Sequence, residues 1–300
     1  MTEPRIRILM ATWNGAAHLR QQLDSFLAQD MPDWGLWVSD DGSSDGTRDL
    51  LAAFRAAHPQ REIRLLAGPR HGSAANFLSL LTHPELPCGP VALSDQDDVW
   101  MPHRLSRGLT AVSHSSDPVL YGATTIETTP DLTPLPKQRH RLPPPSFQNA
   151  MVQNIVAGNT VTMNAAALQA LRAGGAPDVP YHDWWIYLRL AGVGADIVLD
   201  DRPVLFYRQH ARNVIGAHRG AMARLQRARA LVRGTYRDWL QANLAALLAR
   251  PGGLIPAHAE AARILLSLRP RPRALLLSGA RRSTPAGQRL LHMLARTGRL

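Results

Sequence analysis

The run Val91-Ala92-Leu93-Ser94-Asp95-Gln96-Asp97-Asp98-Val99-Trp100 carries a short apolar stretch straight into three carboxylates and a tryptophan. Like charges at that density repel one another, and at the end of a buried strand they cost free energy unless something positive binds there. Asp95 and Asp97 stand two positions apart, so an extended backbone sends both to one side and Asp98 to the other. Two convergent carboxylates suit a hard divalent cation, Mg²⁺ or Mn²⁺, which keeps its remaining positions for water and the phosphates of a substrate. Neither a GxxxxGK(S/T) loop nor a GxGxxG turn follows a strand. A diphosphate would therefore be held through metal and not in a glycine-rich cradle.

A second acidic run, Ser39-Asp40-Asp41-Gly42-Ser43-Ser44-Asp45-Gly46, partly matches the start of a calcium loop through Asp41, Ser43, Asp45 and Gly46. The position that needs a bidentate Glu is Ala52, which excludes an EF-hand. By itself the run reads as a tight turn closed by side-chain hydrogen bonds to the backbone. Two such loops at the ends of neighbouring strands point instead to a shared site.

The elements that must position these loops follow from periodicity. Apolar runs at 6–11, 35–40, 61–68 and 90–94 read as buried strands, and they alternate with helical patterns: Leu19, Leu23, Phe26 and Leu27; residues 47–57, with Leu50, Leu51 and Phe54 on one face; and residues 73–83. Asp45 or Ser44 is available to cap the second helix. Such alternation predicts a parallel sheet with helices on both faces, whose ligands bind beyond the carboxyl ends of the strands. Both acidic loops fall there. Further on, 119–128 reads as a longer strand, 128–145 as a proline-rich loop carrying Lys137, Arg139, His140 and Arg141, and 154–175 as a strand and a helix ended by Gly174-Gly175. Residues 181–194 read as helix, 195–213 as a strand pair, and everything from Gly220 as helices, starting with Leu225, Ala228 and Leu231 at helical period.

With 300 residues, 45% apolar and 19% charged, the chain can bury a sizeable core. Its single cysteine, Cys88, excludes an intrachain disulfide framework and a four-cysteine zinc site; it reads as structural, in a reducing compartment. No signal-peptide pattern and no apolar run long enough to span a bilayer is present, so neither secretion nor membrane spanning is indicated. The net charge of +11 is unevenly placed: residues 1–218 sum to −3, whereas residues 219–300 hold 16 arginines against Asp238 and Glu260. That asymmetry suggests a tail meeting a polyanionic surface, anionic lipid or nucleic acid. Equally, Lys137 is the only lysine, and a composition this rich in arginine uses it wherever a solvated helix face needs charge.

Six motifs occur in order: ATWNG (11–15), VSDDGSSDGT (38–47), GSAANF (72–77), LSDQDDVW (93–100), YHDWWIY (181–187) and YRQHARNVIG (207–216). Together they resemble a family 2 inverting glycosyltransferase of the GT-A fold, and the last two are most similar to rhamnosyltransferase-like enzymes of bacterial surface polysaccharide assembly. The resemblance covers about residues 6–216. It implies an α/β architecture, a Rossmann-like mixed sheet with helices on both faces, as a catalytic domain at 1–218, followed by a basic helical extension at 219–300. It also implies roles. Thr12, Asn14, Asp41 and Arg70 would bind the donor nucleotide, with Asp40 as an alternative stabiliser of the turn. Asp95 and Asp97 match the DXD pair, Asp95 near the sugar and Asp97 the principal metal ligand, while Asp98 would bind the helix starting at Pro102. Trp100 would pack the loop against the donor or serve as a structural aromatic. Asp183 aligns with the catalytic carboxylate; an acidic residue usually precedes it, and here His182 does, a variation that rhamnosyltransferase-like members share. Gly158, Asn159, Trp184 and Trp185 would shape the acceptor side, one tryptophan facing sugar and one in the core. Arg208 and His210 would meet the diphosphate, His210 also as a metal ligand or simply a structural histidine.

The chemistry so implied is transfer of a sugar, with rhamnose from dTDP-rhamnose as the leading candidate and a dTDP- or UDP-sugar as the donor class. The acceptor would be a growing glycan or a polyprenyl-linked one, met in the cytoplasm or at the inner face of the cytoplasmic membrane, where the basic tail would touch anionic lipid. Two rivals stand beside it. A nucleotidyltransferase that makes the activated sugar would share the sheet and acidic site but needs an N-terminal glycine-rich loop with a catalytic basic residue, which Met10-Ala11-Thr12-Trp13-Asn14-Gly15 is not. A non-enzymatic polyanion-binding protein would act through the tail, yet the tail has no nucleic-acid motif and few aromatics among its arginines.

Overall fold

A computed structural model of the protein describes residues 5–136, 142–209, 234–269 and 271–300. Strands β1 (Ile6–Thr12), β2 (Trp34–Asp40), β3 (Ile63–Ala67) and β4 (Val91–Ser94) alternate with helices α1 (Ala16–Leu27), α2 (Thr47–Ala57) and α3 (Ser73–Leu81), as the periodicity requires. Every residue of β1, β2 and β4 is buried, so these strands read as unbroken apolar runs without alternation. All three pairings among these strands are parallel, and the register sets Thr12 beside Asp40 and Met10 beside Ser94. The carboxyl ends of β1, β2 and β4 therefore lie side by side, with both acidic loops on one rim.

Beyond β4 come β5 (Val99–Trp100), α4 (Arg104–Val112), β6 (Val119–Thr128), α5 (Phe147–Ala150), a 3₁₀ turn at Gly158–Thr160, β7 (Thr162–Met163), α6 (Ala165–Gly174), α7 (His182–Gly192) and β8 (Asp196–Arg208). The sheet order is β3-β2-β1-β4-β7-β6-β8-β5, with β7 antiparallel to β4 and β6, and β8 parallel to β6. Two expectations change. Residues 196–208 form one strand, not a pair: the Asp200-Asp201-Arg202-Pro203 segment that looks like a turn is a register shift against β6, where Asp200 accepts from Arg107 and Tyr121. The helix expected from Pro102 begins at Arg104.

Helices cover both faces. One apolar cluster joins Leu19 and Phe26 of α1, Phe54 of α2 and Leu105 of α4 to the sheet; the other joins Phe77 of α3, Leu168 of α6 and Trp184–Leu188 and Leu190 of α7. The second cluster also contains Leu240, Leu244, Ala262, Leu265, Leu275, Leu291 and Leu294. These come from α8 (Thr235–Ala249), α9 (Pro256–Ser267), α10 (Arg271–Ser278) and α11 (Pro285–Arg296). The tail is thus helical where described, and it packs on the α7 face. The helical period expected to begin near Leu225, and His210, lie outside the described residues. Among the described residues no helix is long and apolar enough to cross a membrane.

Candidate functional site

The rim is built by loops that hold one another. Asp40, at the end of β2, accepts hydrogen bonds from Thr12 Oγ1 at 3.0 Å, Ser43 N at 2.9 Å and Arg48 Nε at 2.7 Å. Burial alone would push its carboxyl up, but the bonds from Ser43, Arg48 and Thr12 win and hold it below the usual range. Asp40 is therefore the turn stabiliser, and Thr12, 1% exposed, donates its hydroxyl to Asp40. Asp41 accepts from Arg70 N at 2.6 Å and Gly72 N at 2.8 Å, tying the loop after β2 to the loop after β3. Asn14 Oδ1 accepts from Ser44 N at 2.8 Å, which ties in the loop after β1. Gly42 has φ +93°, and a Cβ there would meet Arg70 Nε at 3.1 Å, so the exposed Arg70 side chain lies across a bare backbone.

Trp13 escaped the sequence reading. It is 60% exposed, and its backbone N and O exchange hydrogen bonds with the Gln96 side chain at 2.9 and 3.0 Å, so a free indole stands where the β1 loop meets the acidic loop. The signal was available: a tryptophan directly after a strand, next to Asn14-Gly15, has no helical or strand face to bury.

Carboxylate oxygens of Asp95, Asp97 and Asp98 lie within 4.8 Å of one another. The expectation that Asp98 points away fails because the backbone leaves the extended conformation after Ser94 and bends through Gln96 and Asp97. Asp98 is fully buried, and it is bound by Asn159 Nδ2 at 2.7 Å and Arg208 N at 3.4 Å rather than by the following helix. Burial, then the charges of Asp95 and Asp97, push its carboxyl well up, partly offset by Asn159 and the Arg208 N–H. Asp95 is pushed up to about 8 by burial first, then by Asp97 and Asp183. Asp183 is therefore close enough for its charge to be felt at Asp95.

Asp183 sits in the first turn of α7, where its Oδ1 accepts from Trp184 N at 2.7 Å. Burial raises its pKa to about 6 despite hydrogen bonds from the Trp184 and Gly158 N–H groups and Asn154. His182 faces elsewhere: its ring stacks on Phe77 at 4.1 Å, its Nε2 is buried with no hydrogen-bond partner among the described residues, and burial drives its pKa down to about 3. A neutral imidazole there is a packing group.

Five more of the expected site residues have their side chains placed by the packing. Trp100 is 2% exposed and packs edge-on to Phe26 at 4.7 Å, so it is the structural aromatic, not a donor contact. Trp184 and Trp185 are both core, at 4% and 0% exposed, and Trp184 Nε1 is spent on Ala150 O at 2.7 Å. Neither faces a sugar. Arg208, 2% exposed, donates to Asp97 O at 2.9 Å, to Gln21 Oε1 at 2.6 Å and to Pro130 O. Its guanidinium clamps the back of the acidic loop. Asn159, 5% exposed, donates its side-chain amide to Asp98.

Gly158 is needed for contact. A Cβ there would meet His182 Nε2 at 2.7 Å and Asp183 Cβ at 3.2 Å, and the stacked imidazole is not a flexible end that can swing aside. Gly158→Ala should therefore move the start of α7 and cost roughly 1–3 kcal/mol of stability, together with most of the activity. A melting temperature and turnover equal to wild type would refute that account of the contact.

Residues 7–172 match the sequence profile of the family described as glycosyl transferase family 2. A dTDP-rhamnosyl transferase, RfbG of Shigella flexneri, is 25% identical over 236 residues, which is 73% of this chain and 77% of that protein. Among solved structures, a mannosyltransferase from Pyrobaculum calidifontis in complex with GDP-Man and Mn²⁺ superimposes with TM-score 0.58 at 20% identity, covering 99% of this chain and 81% of that one. TarS residues 1–349 of S. aureus, in complex with UDP-GlcNAc, gives TM-score 0.54 at 15% identity, covering 98% and 92%. These likenesses establish the GT-A fold.

Proposed function

The chain belongs to glycosyl transferase family 2 and is a glycosyltransferase, and from that premise we propose that it is an inverting enzyme using a nucleoside-diphosphate sugar, with dTDP-rhamnose the leading donor. The observation that carries this reading is the meeting of Asp95, Asp97 and Asp98 at the strand ends with Asp183 within electrostatic reach. The relative described as a dTDP-rhamnosyl transferase supports the donor. The acceptor is a lipid-linked or growing glycan, met at the inner face of the cytoplasmic membrane.

The residues fit a divalent cation. Among the described residues the Asp95 side chain has no hydrogen-bond partner to offset its charge, and Asp97 stands beside it. Asp97 and Asp95 would hold the ion, and when bound it would stabilise the charge of the departing diphosphate. Asp98, committed to Asn159, keeps the loop in shape. Asp183 takes the proton of the acceptor hydroxyl as its oxygen bonds to the anomeric carbon. The bond from that carbon to the diphosphate oxygen breaks on the opposite face, its electron pair leaving with the nucleotide, so the configuration inverts. A base with a pKa near 6 is both ionised at neutral pH and a stronger proton acceptor than an ordinary carboxylate. Trp13, exposed at the same rim, offers a flat apolar face to the donor base.

Calorimetric titration of dTDP, UDP and GDP, with and without Mn²⁺, tests the reading. The expected result is metal-dependent binding, tightest for dTDP, with Asp97→Ala removing only the metal-dependent part. Failure of all three nucleotides in both conditions would overturn it.

A cation at Asp95 also couples stability to pH. Its folded pKa, about 8, lies above the ordinary value of 3.8, so its protonated form stabilises the metal-free fold at low pH, and that contribution is lost as pH rises through 8. Mn²⁺ should accordingly raise the melting temperature more at pH 8 than at pH 6. Equal gains at the two pH values would contradict it.

A further inference from the structure

We infer that the open pocket among the C-terminal helices binds a phosphate-bearing anion. Arg237 from α8, Arg269 between α9 and α10, Arg271 at the start of α10, and Arg296 from α11 line a space of about 650 Å³. Arg271 is 5% exposed, and its Nη1 is anchored by the carbonyl oxygens of Leu265 and Leu266. Burial, and then the neighbouring charges of Arg269 and Arg237, lower its proton affinity, which shows that the three guanidinium groups feel one another. Among the described residues only Asp238 pairs with any of these four arginines, on the solvent side of Arg237. The other acidic residue of the tail, Glu260, is taken by Arg263.

Among the described residues these four guanidinium groups outnumber the acidic side chains that pair with them, and an anion in the pocket offsets the excess positive charge. Guanidinium forks favour phosphate, whose oxygens accept parallel N–H bonds, and the doubly charged forms match several arginines at once. The space exceeds a bare phosphate and admits a phosphoester or diphosphate with part of its carrier. That carrier is either a lipid or a small soluble molecule. Leu276 and Leu277, 78% and 54% exposed on α10, give the lipid source its physical reason. The site stands independently of the transfer reaction.

The full-length protein in chelator, so that no cation occupies the acidic loop, is titrated with inorganic pyrophosphate and sedimented with phosphatidylcholine vesicles with and without phosphatidic acid. The double variant R237Q/R296Q removes two arms whose side chains, among the described residues, bond to no other element. The control R281Q/R289Q removes equal charge from elsewhere in the tail. Binding in either arm that falls about tenfold or more in R237Q/R296Q, and not in the control, supports the site. Pyrophosphate binding without sedimentation then assigns a soluble phosphoester, and sedimentation only with phosphatidic acid assigns a headgroup. Equal loss in both variants, or no binding in either arm, overturns it. Arg296→Gln alone serves if the double variant does not fold.

Discussion

Asp183→Asn should lower the transfer rate by roughly 10²–10⁴-fold, the range a positioned general base supplies, while the nucleotide still binds. The amide has the carboxylate's shape and keeps an oxygen for the Trp184 N–H, so the first turn of α7 is retained. What it lacks is a basic lone pair for the acceptor's proton. Because burial lifts the Asp183 pKa to about 6, the wild-type rate should climb with pH through about 6 and level off above it, as the base loses its proton. The residual rate of the variant should show no such rise. A fully active variant, or one that keeps the inflection, would remove Asp183 from the base role and shift attention to the acidic loop.

Deleting residues 234–300 should yield a chain that does not fold cooperatively. The charge pattern invites the opposite expectation, a detachable tail whose loss weakens lipid binding alone. Yet Leu240, Leu244 and Leu247 of α8, Leu265 of α9 and Leu291 of α11 are at most 1% exposed and share one apolar cluster with Trp184, Trp185 and Leu188. Tyr236 adds a hydrogen bond to Val152 O at 2.6 Å. Each fully buried leucine contributes about 1.5–3 kcal/mol, so five of them rival the whole net stability of an ordinary domain, about 5–15 kcal/mol. A truncated protein that melts in one sharp transition and binds nucleotide normally would show that these contacts are dispensable.

Both effects trace to α7, which presents Asp183 at its first turn and rests its other faces on the tail and on α3. A substitution in the tail core is thus expected to loosen the placement of Asp183 as well as the fold. The basic tail therefore has two separable parts: apolar faces that complete the core, and arginines left facing a cavity or solvent.

By itself the sequence determined the strand and helix alternation of the first half, the two acidic loops at strand ends, the α7 segment with Asp183, and the family, because period, apolar runs and ordered motifs are local properties. It did not determine side-chain direction where the chain leaves regular structure. Alternation sent Asp98 away from Asp95 and Asp97, yet a bend after Ser94 brings all three together, and Asn159 and Arg208 fix that bend from far along the chain. The same holds for Trp100, Trp184, Trp185 and Arg208, residues whose chemistry suits a ligand but whose neighbours claim them first. Residues distant in sequence become neighbours only through the sheet order and helix packing, and a side chain's partner is whichever group that packing brings within hydrogen-bond or contact range. That choice belongs to the tertiary structure alone.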